Sequence, residues 1–347
     1  MKYYDIERIY NMHPDYGIIV GGRSNGKSYS MAKKVVENYM KDGSQFARIV
    51  RYLFDIQGKY VADYFDSDSM INWLRETYGK EIFYESPYYY IKDIDAPIKT
   101  ADILGHVMAL SNEQKYKSNR YERVTNIIVE EFALLDPTQY LLQEAEKFMS
   151  ICSTIVRMRK NVSVWLIGNT ISKYNPYFSM LNVNIERLKI TPGQLKIVPQ
   201  PDIGYDEKPL VVIEFAEMAY EDMKEIPRLF KIGHNDTATN GLFMKPPDVF
   251  EITELKLDKV IETYIVQIGL IKFKLMVFPC FTYWCQCAGK EKNLKPDIFV
   301  KTMCYDRGRY YWNVIKSLKE PLPTETYYDT EETKQYVYEN IIRSVVK

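Results

Sequence analysis

The chain has 347 residues, an apolar content of 46% and equal numbers of basic and acidic residues, 46 of each. This length predicts about two domains, and the apolar content is that of a globular protein with a hydrophobic core. The net charge of zero excludes attraction of nucleic acid by the chain as a whole, so any such interaction requires a local basic surface.

The spacing of the cysteines and the lengths of the apolar segments exclude further classes of protein. The five cysteines are Cys152, Cys280, Cys285, Cys287 and Cys304. They lack the spacing of a metal site, which favours reduced, partly buried thiols in a cytoplasm. Charged residues interrupt the first ten positions, so a signal-peptide pattern is missing. No apolar run approaches membrane-spanning length, and we expect no membrane partner.

The N-terminal region contains a glycine-rich loop between a predicted strand, 16–20, and a predicted helix, 27–40. The loop reads G-x-x-x-x-G-K-S and consists of Gly21, Gly22, Arg23, Ser24, Asn25, Gly26, Lys27 and Ser28. This pattern is typical of phosphate-binding loops, because glycines let the backbone wrap a polyphosphate and the helix N-terminus attracts anions. We expect Lys27 to reach the β- and γ-phosphates of ATP and Ser28 to bind Mg²⁺, with Tyr29 completing the nucleotide-binding set. A glycine loop that matches by chance is the alternative.

A second strand with candidate catalytic residues is predicted at 124–129 and ends in Glu130 and Glu131. Before it, the pattern predicts a strand at 46–52, a helix at 68–78 and small β structure at 81–92. A buried strand that ends in carboxylates is typical of the Walker B motif: the first acid positions Mg²⁺ and the second polarises the attacking water. Two solvated acids at a strand end are the alternative.

A long helix and another buried strand follow the acidic pair. The helix is predicted over 139–158 and ends in a basic run that includes Arg157 and Arg159. The strand at 162–168 ends at Asn169, which fits a polar sensor of the γ-phosphate on a core strand between the two motif-bearing strands. Asn is also common in turns, so this residue alone is weak evidence.

The second half of the chain has a looser pattern. A hairpin is predicted around Pro192 and Gly193, a short helix over 214–225, and a boundary near Pro246. Two strands over 263–287, further short strands and a helix over 331–346 come next. Residues 269–319 contain ten basic and three acidic residues interleaved with aromatic side chains. Such a segment suits a nucleic-acid surface, and an ordinary solvated surface is an equal alternative.

With these residues in view, the chain resembles the terminase-like DNA-packaging ATPases of small phi29-type podophages. The likeness covers residues 10–180 and includes the Arg-containing phosphate loop and a run before the acidic strand, Lys117-Ser118-Asn119. It also includes a strand end, Val50-Arg51-Tyr52, the Arg157-x-Arg159 pair and the run Asn175-Pro176-Tyr177-Phe178. Beyond this half, the chain matches the family in length and general character only.

The resemblance implies an architecture and a set of partners. We expect a RecA-like additional-strand P-loop ATPase domain over 1–185, a lid and linker over 186–248, and an α+β C-terminal domain over 249–347 that resembles a degenerate RNase H-like nuclease. The family implies a ring of five subunits on the portal of an empty capsid. Double-stranded DNA is the substrate moved, and a structural packaging RNA is a further partner that the family allows. The protein is then expected in the host cytoplasm, transiently on the procapsid portal, and not in the mature virion.

The resemblance also implies residue roles. By position, Arg157 resembles an arginine finger supplied to a neighbour's γ-phosphate, and Lys117 resembles a second cation acting on the neighbour. Arg23 is expected to act on phosphates of its own subunit. A helix C-terminal cation that answers the helix dipole is the alternative for both Arg157 and Arg159.

Two departures from the family pattern affect these expectations. Glu130 stands where the family has Asp, so the metal contact must differ slightly or the backbone must compensate. Residues 269–290 contain no Asp or Glu, so a first catalytic strand offers no metal ligand. We therefore expect a nuclease-like domain without nuclease activity.

Three other functions share parts of this pattern. A stand-alone P-loop phosphotransferase, such as a small-molecule kinase, needs a substrate pocket, and we find no second anion-binding motif. A helicase or other nucleic-acid-remodelling ATPase would share nearly every catalytic residue. A non-catalytic ATP-binding switch is disfavoured by Glu131 and Arg157, which suit hydrolysis.

Overall fold

The described part of the chain divides into two units. The computed structural model describes residues 3–134, 139–170, 172–173, 175–201, 207–217, 259–268, 270–278, 281–300, 325–330, 333–334 and 336–337. The described residues up to 217 form the first unit, and those from 259 onward form the second.

The first unit is built on a sheet in which nine strands are described. They are β1 (Tyr16–Gly21), β2 (Gln45–Val50), β3 (Lys80–Glu85), β4 (Tyr88–Asp93), β5 (Asp102–Ala109), β6 (Val124–Glu130), β7 (Ser163–Asn169), β8 (Leu195–Ile197) and β9 (Val211–Phe215). The spatial order is β3-β4-β5-β2-β6-β7-β1-β9-β8. The six strands from β5 to β9 in this order are parallel, and β3, β4 and β8 are antiparallel to their neighbours.

The order of the central strands brings the sequence motifs to one edge. Strand β7 lies between β6 and β1, which confirms the expected extra strand between the two motif-bearing strands. Gly21 is paired with Asn169, and Glu130 is paired with Ile167. Because parallel strands end at the same edge, the loop after β1, the acids after β6 and Asn169 share the carboxyl edge of the sheet.

Helices cover both faces of this sheet. They are α1 (Glu7–Tyr10), α2 (Lys27–Asp42), α3 (Lys59–Ala62), α4 (Asp68–Tyr78), α5 (Glu144–Val156), α6 (Pro176–Met180) and α7 (Ile185–Leu188). The apolar stripe of α2, which includes Met31, Val35 and Val36, packs on one face, and Phe148 and Ile151 of α5 pack on the other. The result is a three-layer α/β unit. Within the described residues, no helix is long and apolar enough to cross a membrane.

Several sequence predictions for the first unit need correction. The predicted hairpin around Gly193 is wrong, because residues 185–188 form a helix and β8 pairs with β9 instead. The helix predicted from Glu214 is wrong at residues 214–215, since β9 is a buried strand beside β1; residues 218–225 lie outside the described residues. The sheet therefore extends past the expected domain boundary at residue 185, and the rest of the expected lid and linker, 218–248, lies outside the described residues. Strand β5 is an addition that the sequence pattern did not identify.

The second unit contains a mixed sheet in which five strands are described. They are β10 (Glu262–Ile268), β11 (Ile271–Val277), β12 (Phe281–Gln286), β13 (Ile298–Val300) and β14 (Glu325–Tyr328), in the order β13-β10-β11-β12-β14. Strands β10 to β12 form an antiparallel meander, so residues 263–287 hold three strands rather than the predicted two. Strand β13 is parallel to β10, and β14 is parallel to β12. Most of the predicted C-terminal helix lies outside the described residues.

Buried thiols are found in both units. Cys152, Cys285 and Cys287 are free and buried, as expected for reduced cysteines. Cys280 and Cys304 lie outside the described residues.

Candidate nucleotide-binding site

The loop after β1 has the backbone of an anion site. Ser24 has φ 60° and Gly26 has φ 88°, left-handed values that turn successive peptide groups within the loop. Gly26 is the residue before the first turn of α2, a helix of 16 residues. A side chain at Gly26 would also come within 3.1 Å of the Tyr3 ring. The loop therefore joins a strand to a helix N-terminus, where unpaired N–H groups and the helix dipole attract anions.

Lys27 lies inside this loop rather than in solvent. Its Nζ donates to the carbonyl oxygens of Gly21 (3.3 Å) and Gly22 (2.6 Å) and to Asn25 Oδ1 (2.9 Å). Burial lowers the pKa of Lys27 from 10.5 to about 8, because the charged form loses hydration. The three acceptors of this ammonium are neutral oxygens, and bound phosphate oxygens would supply the negative charge that stabilises its charged form.

A cleft of about 600 Å³ opens beside the loop. It is lined by Ser24, Asn25, Gly26, Lys27, Ser28, Tyr29, Arg48, Ile49, Val50, Arg51, Asp55, Tyr60, Asp63, Tyr64, Glu130, Glu131, Ile167, Gly168 and Asn169. Most of the residues predicted to bind nucleotide and metal thus meet in one place. Gly21 and Gly22 form the base of the loop, whereas Arg23 is exposed and is not among the lining residues. A polyphosphate in this cleft would touch the loop, both acids and Asn169.

Glu130 is held in the cleft by an arginine that the sequence analysis missed. Arg48 of β2 donates from Nη2 to Glu130 Oε2 at 2.7 Å and from Nη1 to the Tyr89 hydroxyl at 3.0 Å. The other carboxylate oxygen, Glu130 Oε1, is buried and has no hydrogen-bond partner within the described part of the chain. Since a buried polar atom without a partner is costly, this oxygen is suited to a cation or to a water bound to one.

Glu131 has a strained backbone at the mouth of the cleft. Its φ is 52°, and its N–H donates to Ile167 O at 2.9 Å, while its side chain is exposed. For a residue other than glycine, the left-handed conformation costs about 1–2 kcal/mol. Strain of this kind is commonly found at functional sites, and here it turns the carboxylate out of the strand and into the cleft.

Arg51, a second arginine that lines the cleft, pairs with the first residue of α5. Arg51 makes a bidentate pair with Glu144: Nε lies 2.9 Å from Oε2, and Nη2 lies 2.9 Å from Oε1. Glu144 also accepts from the Tyr177 hydroxyl at 2.8 Å and from the Leu141 N–H at 2.7 Å. This carboxylate is 1% exposed, so Arg51 is neutralised within a buried network at the start of α5.

Arg157 and Lys117 lie outside the cleft of their own chain. Helix α5 begins at Glu144 beside the cleft and has 13 residues, so its far end lies about 20 Å away. Arg157 follows that end with φ 49° and donates to Asn119 O at 2.8 Å, near the amino end of β6. Lys117 is exposed in the same region. Arg157 is therefore distant from Glu130 and Glu131, and Lys117 precedes Asn119, the contact residue of Arg157, by two positions.

Arg159 has a different environment from Arg157. Its guanidinium donates to four backbone carbonyls, those of Tyr121, Glu122, Val124 and Ile155, at 2.7–3.0 Å. The contact with Ile155 lies within α5, and the other three fix the end of this helix to the segment that enters β6. Arg159 therefore has a structural role in the fold. It acts as a cation at the C-terminal end of a helix and not as an arginine finger.

Comparison with known proteins identifies the family. The model of the family described as Podovirus DNA encapsidation protein (Gp16) matches residues 1–191, more than half of the chain. The chain belongs to this family. The resemblance inferred from the loop, the acidic strand and the Arg157 segment is thus confirmed.

Individual relatives agree with this family. The DNA packaging protein of Bacillus phage B103 is 29% identical over 161 residues, which are 46% of each chain. The DNA packaging protein of Bacillus phage phi29 is 26% identical over 182 residues, 52% of this chain and 50% of the relative. The aligned residues therefore span about half the length of these curated relatives.

Solved structures extend the likeness in fold to both units. A chain of the Phi-28 gp11 DNA packaging motor matches with a TM-score of 0.59 and 12% identity, covering 99% of this chain and 98% of that one. A chain of the bacteriophage Phi-29 viral genome packaging motor assembly matches with a TM-score of 0.57 and 18% identity, covering 99% and 100%. At these identities the similarity describes the fold alone.

Proposed function

We propose that this chain is the ATP-hydrolysing subunit of a motor that moves double-stranded DNA into a viral capsid. The observation that carries the proposal is the cleft in which the phosphate loop, Glu130, Glu131 and Asn169 meet at the carboxyl edge of the sheet. Membership of a DNA encapsidation family supports the coupling of this cleft to DNA packaging. The first unit would then be a RecA-like ATPase domain of the additional-strand class.

The residues present fit a nucleotide with Mg²⁺. The loop amides and Lys27 would hold the phosphates, while the Ser28 hydroxyl and the unpartnered Glu130 Oε1 are the hard oxygen ligands that Mg²⁺ requires. Bound there, Mg²⁺ would neutralise charge on the phosphate oxygens. The extra methylene of Glu130, relative to Asp, lets one carboxylate serve both the Arg48 guanidinium and this ligand position.

Glu131 is the residue we assign to water activation. Its carboxylate is exposed in the cleft and free of the Arg48 pairing that holds Glu130. A carboxylate in this place accepts a hydrogen bond from the attacking water and orients it toward the γ-phosphate. Asn169 at the end of β7 would contact the same phosphate as the sensor. Arg23, which is exposed at the loop, is assigned to the phosphates of its own subunit.

Among the described residues that line the cleft, both arginines are engaged in ion pairs, which supports completion by a neighbour. The arginines that line it, Arg48 and Arg51, are both paired, with Glu130 and Glu144. Arg157 lies about 20 Å away at the far end of α5, and Lys117 is not among the residues that line the cleft. We assign them to the cleft of the next subunit, where a cation stabilises charge that develops on the transferring phosphoryl group. We further propose a ring of five subunits on the capsid portal, with DNA and a packaging RNA as partners; the family resemblance supports this proposal. The site of action would be the host cytoplasm.

The second unit is proposed to be RNase H-like but without nuclease activity. An antiparallel meander flanked by parallel strands is compatible with that resemblance. Strands β11 and β12 contain no Asp or Glu, and no group of three His, Cys, Asp or Glu side chains that could hold a metal occurs within the described ranges. Metal-dependent DNA cleavage by the purified chain would refute this assignment.

Mixing two inactive variants tests the proposed function. Glu131→Gln lacks the water-activating acid but retains Arg157, and Arg157→Ala has the reverse defect. If the cleft is completed by a neighbour, mixed assemblies regain part of the ATP hydrolysis that each variant lacks alone. If every mixture shows only the sum of its separate components, and Arg157→Ala keeps wild-type turnover, the site is complete within one chain and a stand-alone enzyme becomes the better account.

A further inference from the structure

The carboxyl edge of the first unit has an exposed apolar patch beside the cleft. Leu53, Phe54 and Tyr60 are 50%, 73% and 54% exposed; we call them the aromatic rim. Neighbouring groups fix Phe54 in place. The ring of Tyr52 stacks on Phe54 at a centroid distance of 5.3 Å, and the Tyr52 hydroxyl donates to Gln139 O at 2.9 Å. Large apolar side chains fixed in solvent by their neighbours are typical of an interaction surface.

At the opposite edge, one exposed apolar side chain, that of Met158, lies in a basic segment. Met158 is 96% exposed and directly follows Arg157. Four exposed cations lie on the two segments that the hydrogen bonds of Arg157 and Arg159 join: Lys117, Arg120, Arg157 and Lys160. We call these four cations and Met158 the basic end. A thioether held in solvent is an adaptable contact for aromatic rings.

The two surfaces are complementary in charge. Asp55 and Asp63 line the cleft next to the aromatic rim, together with Glu131. Of the nearby cations, Arg48 and Arg51 are paired with Glu130 and Glu144, and Lys59 lies 3.9 Å from Asp63; Asp55 and Glu131 therefore contribute negative charge beside the rim. At the basic end, Glu122 lies 3.8 Å from Arg120 and Glu207 lies 3.2 Å from Lys160, which leaves an excess of cations.

The aromatic rim and the basic end cannot meet within one chain. The rim follows the carboxyl end of β2, whereas the basic end packs on the segment before β6, a parallel neighbour of β2. The two lie at opposite ends of α5, about 20 Å apart. Two different surfaces of one chain that fit each other form a head-to-tail contact between copies, and such contacts close into rings when the rotation permits.

We propose that Met158 of one copy packs against Leu53, Phe54 and Tyr60 of the next copy and thereby seats Arg157 at that copy's cleft. This inference rests on the proposed function, in which Arg157 acts on a neighbour. It adds the contact that sets the distance and direction from which Arg157 approaches the neighbouring cleft. Met158, one residue from Arg157, is the apolar anchor of this contact. The Asp55 and Asp63 carboxylates of the neighbouring copy attract the cations of the basic end. Met158 is thus a positioning residue rather than a catalytic one.

Charge substitution at the two surfaces tests the contact. The variants are Met158→Glu, Phe54→Lys and the double variant with both changes, and Leu270→Glu is the control because Leu270 is 97% exposed in the second unit. The readouts are ATP hydrolysis per subunit over a range of concentrations of the full chain and the sedimentation velocity of the same samples. We expect each single variant to need a concentration at least about tenfold higher for half-maximal activity, the effect of losing a central interface contact. The double variant should recover most of this loss, because the introduced carboxylate and the introduced ammonium would then face each other across the contact.

The outcomes separate this inference from the proposed function. Wild-type behaviour of both single variants, with activity lost in Arg157→Ala, would overturn the Met158 contact and leave the neighbour's finger in place. A double variant no better than the two single ones would also overturn the contact. If hydrolysis per subunit is independent of concentration and unaffected by Arg157→Ala, the proposed completion by a neighbour fails as well.

Discussion

The ion pair between Arg51 and Glu144 allows the strongest quantitative prediction. The Glu144 carboxylate is 1% exposed and accepts from Arg51, Leu141 and Tyr177 at 2.7–3.1 Å. Removing one partner of a buried pair leaves the other charge uncompensated, which costs about 3–5 kcal/mol. We therefore expect Glu144→Gln and Arg51→Met each to lower the free energy of unfolding by about this amount.

The double variant should cost much less than the two changes added together. With methionine in place of Arg51 and glutamine in place of Glu144, the pair leaves no buried charge behind. The side-chain carbonyl of the introduced glutamine can still accept from the Leu141 N–H and the Tyr177 hydroxyl. The expected loss is no greater than that of either single variant, so the pair has a coupling free energy of several kcal/mol.

Urea unfolding with tryptophan fluorescence would measure these values, because Trp165 is buried in the core of the first unit. Glu207→Gln is the control, since Glu207 pairs with Lys160 on the surface and its removal should change stability by no more than about 0.5 kcal/mol. Additive losses in the double variant would refute the reasoning, because they would mean that packing rather than charge compensation holds this network together.

Further predictions concern Lys27 and Glu131 of the cleft and the two arginines that follow α5. Because burial lowers the pKa of Lys27 to about 8, ATP affinity should weaken as pH rises above 8, as measured by nucleotide titration between pH 7 and 9.5. In the unfolded chain, Lys27 has its ordinary pKa of 10.5 and stays protonated up to about that pH. Between pH 8 and 10.5 the unfolded state therefore binds one more proton than the folded state, and the free energy of unfolding should rise with pH by up to about 3 kcal/mol. Lys27→Met should lack this rise. Glu131→Gly should be more stable than Glu131→Ala by about 1 kcal/mol in urea, the reverse of the usual order, because only glycine relieves the left-handed strain; equal stability would contradict the strained backbone. Arg159→Ala should lower stability by about 1–3 kcal/mol through loss of its backbone hydrogen bonds, whereas Arg157→Ala should leave the thermal midpoint nearly unchanged and remove ATP turnover.

The elements that the sequence predicted well are those with a local signal. Strand β1, the loop and α2 follow one another within 27 residues, and each has its own pattern of glycine or apolar spacing. The same holds for the acids after β6 and for Asn169 after β7. In each case the motif ends a buried parallel strand, so the common edge of the sheet brings the residues together.

The residues that the sequence analysis missed depend on partners far away in the chain. Arg48 is 82 positions from Glu130, and Arg51 is 93 positions from Glu144. The charge of Arg48 within the apolar run of β2 was a usable signal, since a buried arginine requires a partner, but nothing local identifies which acid it is. Strand β9 illustrates the same limit: its partner β1 precedes it by almost 200 residues, and tertiary pairing outweighed the local helical pattern.

The fixation of α5 at both ends strengthens the case for action on a neighbour. At the cleft, Glu144 binds Arg51 in a buried bidentate pair; at the far end, Arg159 donates to the carbonyls of Tyr121, Glu122 and Val124 and so holds the helix to the segment that enters β6. For Arg157 to reach the cleft of its own chain, one of these attachments and most of the helix would have to unfold, against the buried contacts of Phe148 and Ile155. A rigid helix instead presents Arg157 outward at a constant distance from its own cleft. The position of the guanidinium at a γ-phosphate would then depend on how the next copy docks, and this is why the surface beside Arg157 matters as much to the proposed mechanism as the residue itself.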